Sequence, residues 1–153
     1  MKPFVRALVA STLLLFPTLS THAHAETPLA GQNAVVYKSP TCGCCSSYVE
    51  FLRKHGVTVE TRDVDDASLM QVKAENGVPG AAESCHTVIL DGYIVEGHVP
   101  LAALEKLLME RPEVDGVSMP GMPTGVPGMP GPAYGPLEVV SFHDGTTAPF
   151  FSF

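Results

Sequence analysis

Asn33-Ala34-Val35-Val36-Tyr37-Lys38, then Ser39-Pro40-Thr41-Cys42-Gly43-Cys44-Cys45, then Ser46-Ser47-Tyr48-Val49-Glu50-Phe51-Leu52 is a strand, a cysteine turn and the opening of a helix. The first block is a short apolar, β-branched run, which marks a strand. Pro40 has no N–H to offer a ladder, so the strand ends there. The third block places Tyr48, Val49, Phe51 and Leu52 on one helical face from about Cys44 to His55. Arg53 and Lys54 suit the C-terminal dipole, and Gly56 is the stop. Three of the four cysteines therefore lie where a strand hands over to a helix, and the fourth, Cys85, follows forty residues later with His86 beside it.

The elements after this unit continue a regular order. Val57 to Val64 alternates apolar and polar residues and reads as a strand. Asp65-Asp66 offers an N-cap to a short helix ending at Glu75, with Leu69, Met70 and Val72 inward and Asn76-Gly77 closing it. Val78 to Ser84 is a loop of small residues. Thr87 to Leu90 and Tyr93 to Val95 flank Asp91-Gly92, a strong hairpin signal. Pro100 opens a last helix whose buried stripe is Leu101, Leu104, Leu107 and Leu108. The order β-α-β-α-β-β-α predicts an α/β thioredoxin-like domain over residues 26–111, its helices covering both faces of a four-stranded mixed sheet.

Residues outside that span differ in character. Lys2 and Arg6, the apolar run from Ala7 to Leu19 and Ala23-His24-Ala25 form a secretory signal over residues 1–25, cleaved after Ala25. The apolar run is too short for a membrane span of about 20 residues, and cleavage removes His22 and His24. Residues 112–153 form an extension. From Pro112 to Pro136 it is too rich in proline and glycine for a helix or a central strand. Pro-Gly-Met-Pro occurs twice, at 120–123 and 127–130, which suggests metal-ordered structure rather than a plain linker. Leu137 to Phe142, a turn at His143-Asp144-Gly145 and Thr147 to Phe153 resemble a hairpin, with Phe142, Phe150, Phe151 and Phe153 seeking burial against the domain.

Charge narrows the partners. The mature chain carries seven basic residues against sixteen acidic ones, which argues against nucleic acid and anionic membrane and for cations. Cysteines usually pair in an exported protein. Cys42, Cys44 and Cys45 are so close that bridges among them are expected to be strained, and only one of them can easily reach Cys85. The thiols left over point to a soft metal or a redox site.

Topology gathers the remaining donors. In this fold the third strand runs antiparallel to the first and the fourth parallel to it. Cys42, Cys44, Cys45, Cys85, His86 and His98 then converge at one end of the sheet. Thiolate and methionine select Cu(I), and imidazole tolerates both copper oxidation states. Zinc is a lesser fit, being content with four cysteines alone. Adjacent cysteines bridge ions more readily than they share one, which suggests a multinuclear copper site. Met122 and Met129 are candidate ligands and Met119 a weaker one. His86 also has the reading of a strand residue turned away, and His98 that of a loop histidine. His55 reads as a dipole partner, His143 as solvated, and Met70 and Met109 as core or surface residues. Cys42 and Cys45 also satisfy the Cys-x-x-Cys spacing of a thiol–disulfide oxidoreductase, although Cys44 offers a competing thiol.

Val36 to Cys45, Ser84-Cys85-His86-Thr87, Gly92-Tyr93, Glu96-Gly97-His98-Val99-Pro100 and Pro120-Gly121-Met122-Pro123, in that order, resemble the CopG-type periplasmic copper-resistance proteins. The resemblance implies a thioredoxin-like domain with a metal-binding extension and a cysteine-bridged copper cluster. It also implies copper redox interconversion feeding detoxification or efflux in the periplasm. Cys42, Cys44, Cys45 and Cys85 match the thiolates, and His86, His98 and Met122 match positions expected near the metal. Met129 is expected to take the same part from the second Pro-Gly-Met-Pro unit. Turnover at copper and storage without turnover are both compatible with this. Efflux or chaperone proteins are the implied partners, and the chain is expected to act as a monomer without a membrane anchor.

Overall fold

The computed structural model describes residues 27–153. The predicted signal segment, residues 1–25, lies outside the described residues. The first seven elements are β1 (Asn33–Lys38), α1 (Gly43–Lys54), β2 (Thr58–Asp63), α2 (Asp66–Glu75), β3 (His86–Leu90), β4 (Tyr93–Gly97) and α3 (Leu101–Glu110), in the order expected. A 3₁₀ turn, Gly80–Ala82, lies in the loop of small residues before β3. β1 pairs parallel with β2 and antiparallel with β3, and β3 pairs antiparallel with β4. The β3–β4 turn is Asp91-Gly92, both with positive φ, as a tight hairpin requires.

The sheet is wider than the four strands expected. β5 (Gly116–Met119), β6 (Glu138–His143) and β7 (Thr146–Ser152) extend it to seven strands in the order β2-β1-β3-β4-β5-β6-β7. β6 and β7 are the expected hairpin. β5 corrects the expectation that Pro112 to Pro136 holds no central strand: it pairs parallel with β4 and antiparallel with β6. Pro112 and Pro120 bracket seven proline-free residues, so no ladder N–H is missing inside the strand. Gly116 is where β5 comes closest to its neighbours, since a Cβ there would lie 2.1 Å from the Ile94 carbonyl oxygen and 2.6 Å from the Phe142 ring.

The main core lies between α1, α3 and one sheet face. Tyr48, Leu52, Leu104 and Leu107 meet Val36, Val88, Leu90, Val95, Val117 and Val139. Truncating one of these leucines to alanine costs about 2–5 kcal/mol. On the other face Val78 and Ala82 pack on Ile94 and Phe142. Here α2 differs from expectation. Leu69 and Lys73 are the buried residues, while Met70 is half exposed. Leu69 and Lys73 are four apart and share a helix face, and the sheet offers that face a carboxylate, Glu96, as described below. The C-terminal phenylalanines divide: Phe142 is buried, Phe150 and Phe151 are partly buried against the core, and Phe153 is exposed. Among the described residues no helix is long and apolar enough to cross a membrane.

Candidate metal centre

Cys42 is the N-cap of α1, with the Cys45 N–H pointing at its sulfur at 3.3 Å. One helical turn brings residues three apart onto the same side, and here the Cα atoms of Cys42 and Cys45 are 5.3 Å apart. They form a disulfide. Their Cα separation lies inside the ordinary range for a bridge, so crowding along the chain does not keep this pair from pairing. Cys44 and Cys85 are free thiols. The Cys44 sulfur is 3.4 Å from that of Cys42, and all four sulfurs lie within 4.8 Å of one another.

β3 and β4 deliver the rest. Cys85 sits just before β3, its sulfur 3.2 Å from His86 Nδ1 and 3.1 Å from His98 Nε2. Cys85, His86 and His98 thus form a second group within 4.8 Å, and Cys85 belongs to both. His86 is turned into the protein, fully buried against the Tyr48 ring at 4.7 Å and perpendicular to His98 at 4.9 Å. Its Nε2 has no hydrogen-bond partner among the described residues.

The protonation states follow from the surroundings. His98 Nδ1 is 2.7 Å from the Pro127 carbonyl oxygen. A carbonyl only accepts, so Nδ1 carries the proton and Nε2 presents its lone pair to Cys85. Burial lowers the His98 pKa, against the pull of that carbonyl. Burial, and then the neighbouring His98, lowers His86 to about 3. Burial, and then Cys44, pushes the Cys85 thiol up to about 12. The site without a cation therefore holds two neutral imidazoles around a protonated thiol. A cation reverses that balance by favouring the thiolate. Two free thiols and two neutral imidazoles, joined by two more thiols once the Cys42–Cys45 bridge is reduced, make a donor set for soft metal ions.

The extension wraps the site from two sides. In the first Pro-Gly-Met-Pro unit the Gly121 carbonyl accepts from the Ser84 hydroxyl at 2.5 Å, next to Cys85. In the second, Gly128 lies so close to α1 that a Cβ would fall 2.8 Å from the Cys44 carbonyl oxygen and 3.2 Å from His98 Nδ1. Met122 is exposed, and Met129 is partly buried against the core. Met119 is the last residue of β5 and is buried in the core. Outside the site, His55 Nδ1 bonds the Phe51 carbonyl near the end of α1. His143 is an exposed partner of Asp115 and Asp144.

Sequence reasoning missed Glu96. Its carboxylate is fully buried and accepts from the Ser84 N–H at 2.8 Å, from the Thr87 hydroxyl at 2.7 Å and from the Lys73 ammonium. Ser84 and Thr87 are the residues on either side of Cys85-His86, so one carboxylate pins both flanks of that pair. Burial raises the Glu96 pKa, and Lys73 opposes the rise. The available signal was a lone acid continuing the apolar run Tyr93-Ile94-Val95.

A disulfide-capped helix after β1, facing a thiol and two imidazoles from β3 and β4, defines a thioredoxin-like protein with a sulfur-and-imidazole centre. Comparison with known proteins agrees. Residues 34–80 match the family model described as "Glutaredoxin", and residues 82–129 match "Protein of unknown function, DUF411". Two solved structures match over most of the chain. "Copper resistance protein copG- Form 2" is 37% identical with a TM-score of 0.71, covering 80% of this chain and 98% of its own. "Copper resistance protein copG- Form 1" is 36% identical with a TM-score of 0.70, covering 79% and 96%. No curated protein sequence gives a significant match. The chain belongs to the CopG family of copper resistance proteins.

Proposed function

We propose that this chain is a periplasmic copper-binding protein of copper resistance that holds a cysteine-bridged multinuclear copper site. The observation that carries the reading is the approach of all four cysteine sulfurs to within 4.8 Å, with Cys85 shared by two imidazoles. Thiol–disulfide exchange with an external dithiol, which is itself oxidised to a disulfide as its two protons and two electrons pass to the bridge, opens Cys42–Cys45 and turns one bridge into two further donors. Cys42, Cys44, Cys45 and Cys85 then supply the thiolates. His86 and His98 stand ready as neutral donors, and Met122 and Met129 complete the shell from the extension. Copper bound there supplies one-electron chemistry between Cu(I) and Cu(II), with sulfur favouring the reduced ion and imidazole accommodating the oxidised one. The protein's own part is to keep the imidazoles neutral, fix the His98 tautomer through Pro127, hold Cys85 through Glu96 and exclude water from the imidazole side.

The test is anaerobic copper titration of the reduced mature protein, reading ions per chain by elemental analysis and by charge-transfer absorption. More than one tightly held copper per chain, with the absorption lost in Cys44→Ser, is expected. Weak binding with every thiol still freely titratable would overturn the reading. It would promote a second one, a thiol–disulfide oxidoreductase using Cys42 and Cys45. That alternative is favoured by the bridge at the helix N-terminus and by the glutaredoxin match, and it predicts that Cys44→Ser leaves disulfide exchange intact.

A further inference from the structure

The sulfur cluster has a closed side and an open side. On the closed side His86 and His98 are fully buried, and the backbone of Gly128 sits on the Cys44 carbonyl. On the open side a cleft of about 310 Å³ reaches the cluster between the cysteine turn, α2 and the loop before β3. Cys42 and Cys85 lie in its wall, with Met70, Asp66 and Glu83 around them. A ligand can reach Cys42 and Cys85 through this cleft without unpacking the core.

Met70 is the notable residue. It follows Leu69 on α2, yet Leu69 is buried and Met70 is 51% exposed. Met70 lines the same cleft as Cys42 and Cys85. A thioether is soft and neutral, so it binds a soft cation without needing to lose a proton, and it binds more weakly than a thiolate. Asp66 and Glu83 add carboxylates that raise the local concentration of cations.

We propose that this cleft is the port of the centre and that Met70 is the first protein ligand met by an incoming Cu(I) ion. The proposal rests on the copper reading above. The step is a ligand exchange without change of oxidation state. A bond from Cu(I) to its carrier breaks as the bond to the Met70 sulfur forms. In the protein whose Cys42–Cys45 bridge has been reduced, the Met70 bond then breaks as Cys42 or Cys85 binds, and each thiol that becomes a thiolate releases one proton to solvent. The carrier leaves with its own ligands unchanged.

The experiment is stopped-flow transfer of Cu(I) from its bicinchoninate complex to the anaerobically reduced mature protein, following loss of the complex's colour. Met70→Leu keeps the volume and the helix. It is expected to leave ions per chain and equilibrium affinity within about twofold of the parent while slowing transfer by about fivefold or more, a rate effect separated from an affinity effect. Met109→Leu, an exposed methionine outside the cleft lining, is expected to transfer at the parent rate. Parent-like transfer by Met70→Leu overturns the port while leaving the copper reading standing. A fall in ions per chain for Met70→Leu also overturns it, because Met70 would then be a resident ligand. A parent protein that takes up no copper overturns the underlying reading and this proposal with it.

Discussion

Lys73→Met removes the cation from a buried triad and leaves a side chain of similar length in its place. Lys73 and Glu96 are both almost wholly inaccessible to solvent, and Glu96 keeps two hydrogen bonds, from Ser84 and Thr87, when the ammonium is gone. Breaking a buried pair by removing one partner costs about 3–5 kcal/mol. A second route gives a similar figure. The stranded carboxylate escapes by taking a proton. An unfolded glutamate titrates near about 4.3, so holding that proton at pH 7 costs about 3.7 kcal/mol at about 1.36 kcal/mol per unit. The native carboxyl then binds a proton more tightly than the unfolded one, so the variant's stability rises as pH falls. At pH 5.5 the same arithmetic leaves a cost of about 1.6 kcal/mol. Urea unfolding of metal-free protein, followed by far-UV circular dichroism at both pH values, measures this directly. Adding Glu96→Gln is expected to recover at least half the loss, because an amide needs no counter-charge. A loss below about 1 kcal/mol at pH 7, or one that does not change with pH, would refute the assignment of Lys73 as the counter-ion that lets Glu96 stay buried.

Three further outcomes are expected. Alkylation and mass spectrometry of the oxidised protein should label Cys44 and Cys85 and leave Cys42 and Cys45 unlabelled until reduction; labelling of Cys42 would contradict the bridge. Gly128→Ala forces a residue with φ of +81° to carry a Cβ against the Cys44 carbonyl. The left-handed conformation alone costs about 1–2 kcal/mol. The turn should lift from His98, and nitrogen NMR should show its single Nδ1–H tautomer become a mixture. Asp65 caps α2 by accepting from the Ser68 N–H at 2.7 Å, and those bonds lower its pKa. The cap's contribution is present above the ordinary carboxylate range and is lost as pH falls through the lowered value. Asp65→Ala should therefore destabilise at neutral pH, and its thermal midpoint should converge with the parent's in acid.

The elements up to α3 were legible because each carried its own local signal. A β-branched apolar run marked β1, alternation marked β2, Asp91-Gly92 marked the hairpin, and leucine spacing marked α3. Strand polarity alone then gathered the cysteines with His86 and His98. What stayed hidden depended on partners distant in sequence. Lys73 reads as a surface lysine until Glu96, on another element, is placed beneath it. β5 was obscured because composition averaged over a proline-rich stretch hides a proline-free window only seven residues long. The Cys42–Cys45 pair was kept only as an alternative reading because crowding was judged along the chain, whereas a helical turn brings residues three apart together in space. Met119 was read as a weaker candidate than Met122, but nothing in its local sequence showed that it ends a core strand while Met122 faces solvent.

β5 also changes what the methionine-bearing loop is. Its ends are fastened to neighbouring strands of one sheet, at Met119 and at Glu138. Had the extension been a free tail, every contact it makes beside the cysteines would have to draw in a chain free to be elsewhere. Closing a loop of this length costs only slightly more than closing a shorter one, and here that cost is met when the protein folds. The segment that carries both methionines is thus held against the domain, by Gly121 at Ser84 and by Gly128 at the Cys44 carbonyl, as part of the folded sheet rather than as a tail that must be gathered in.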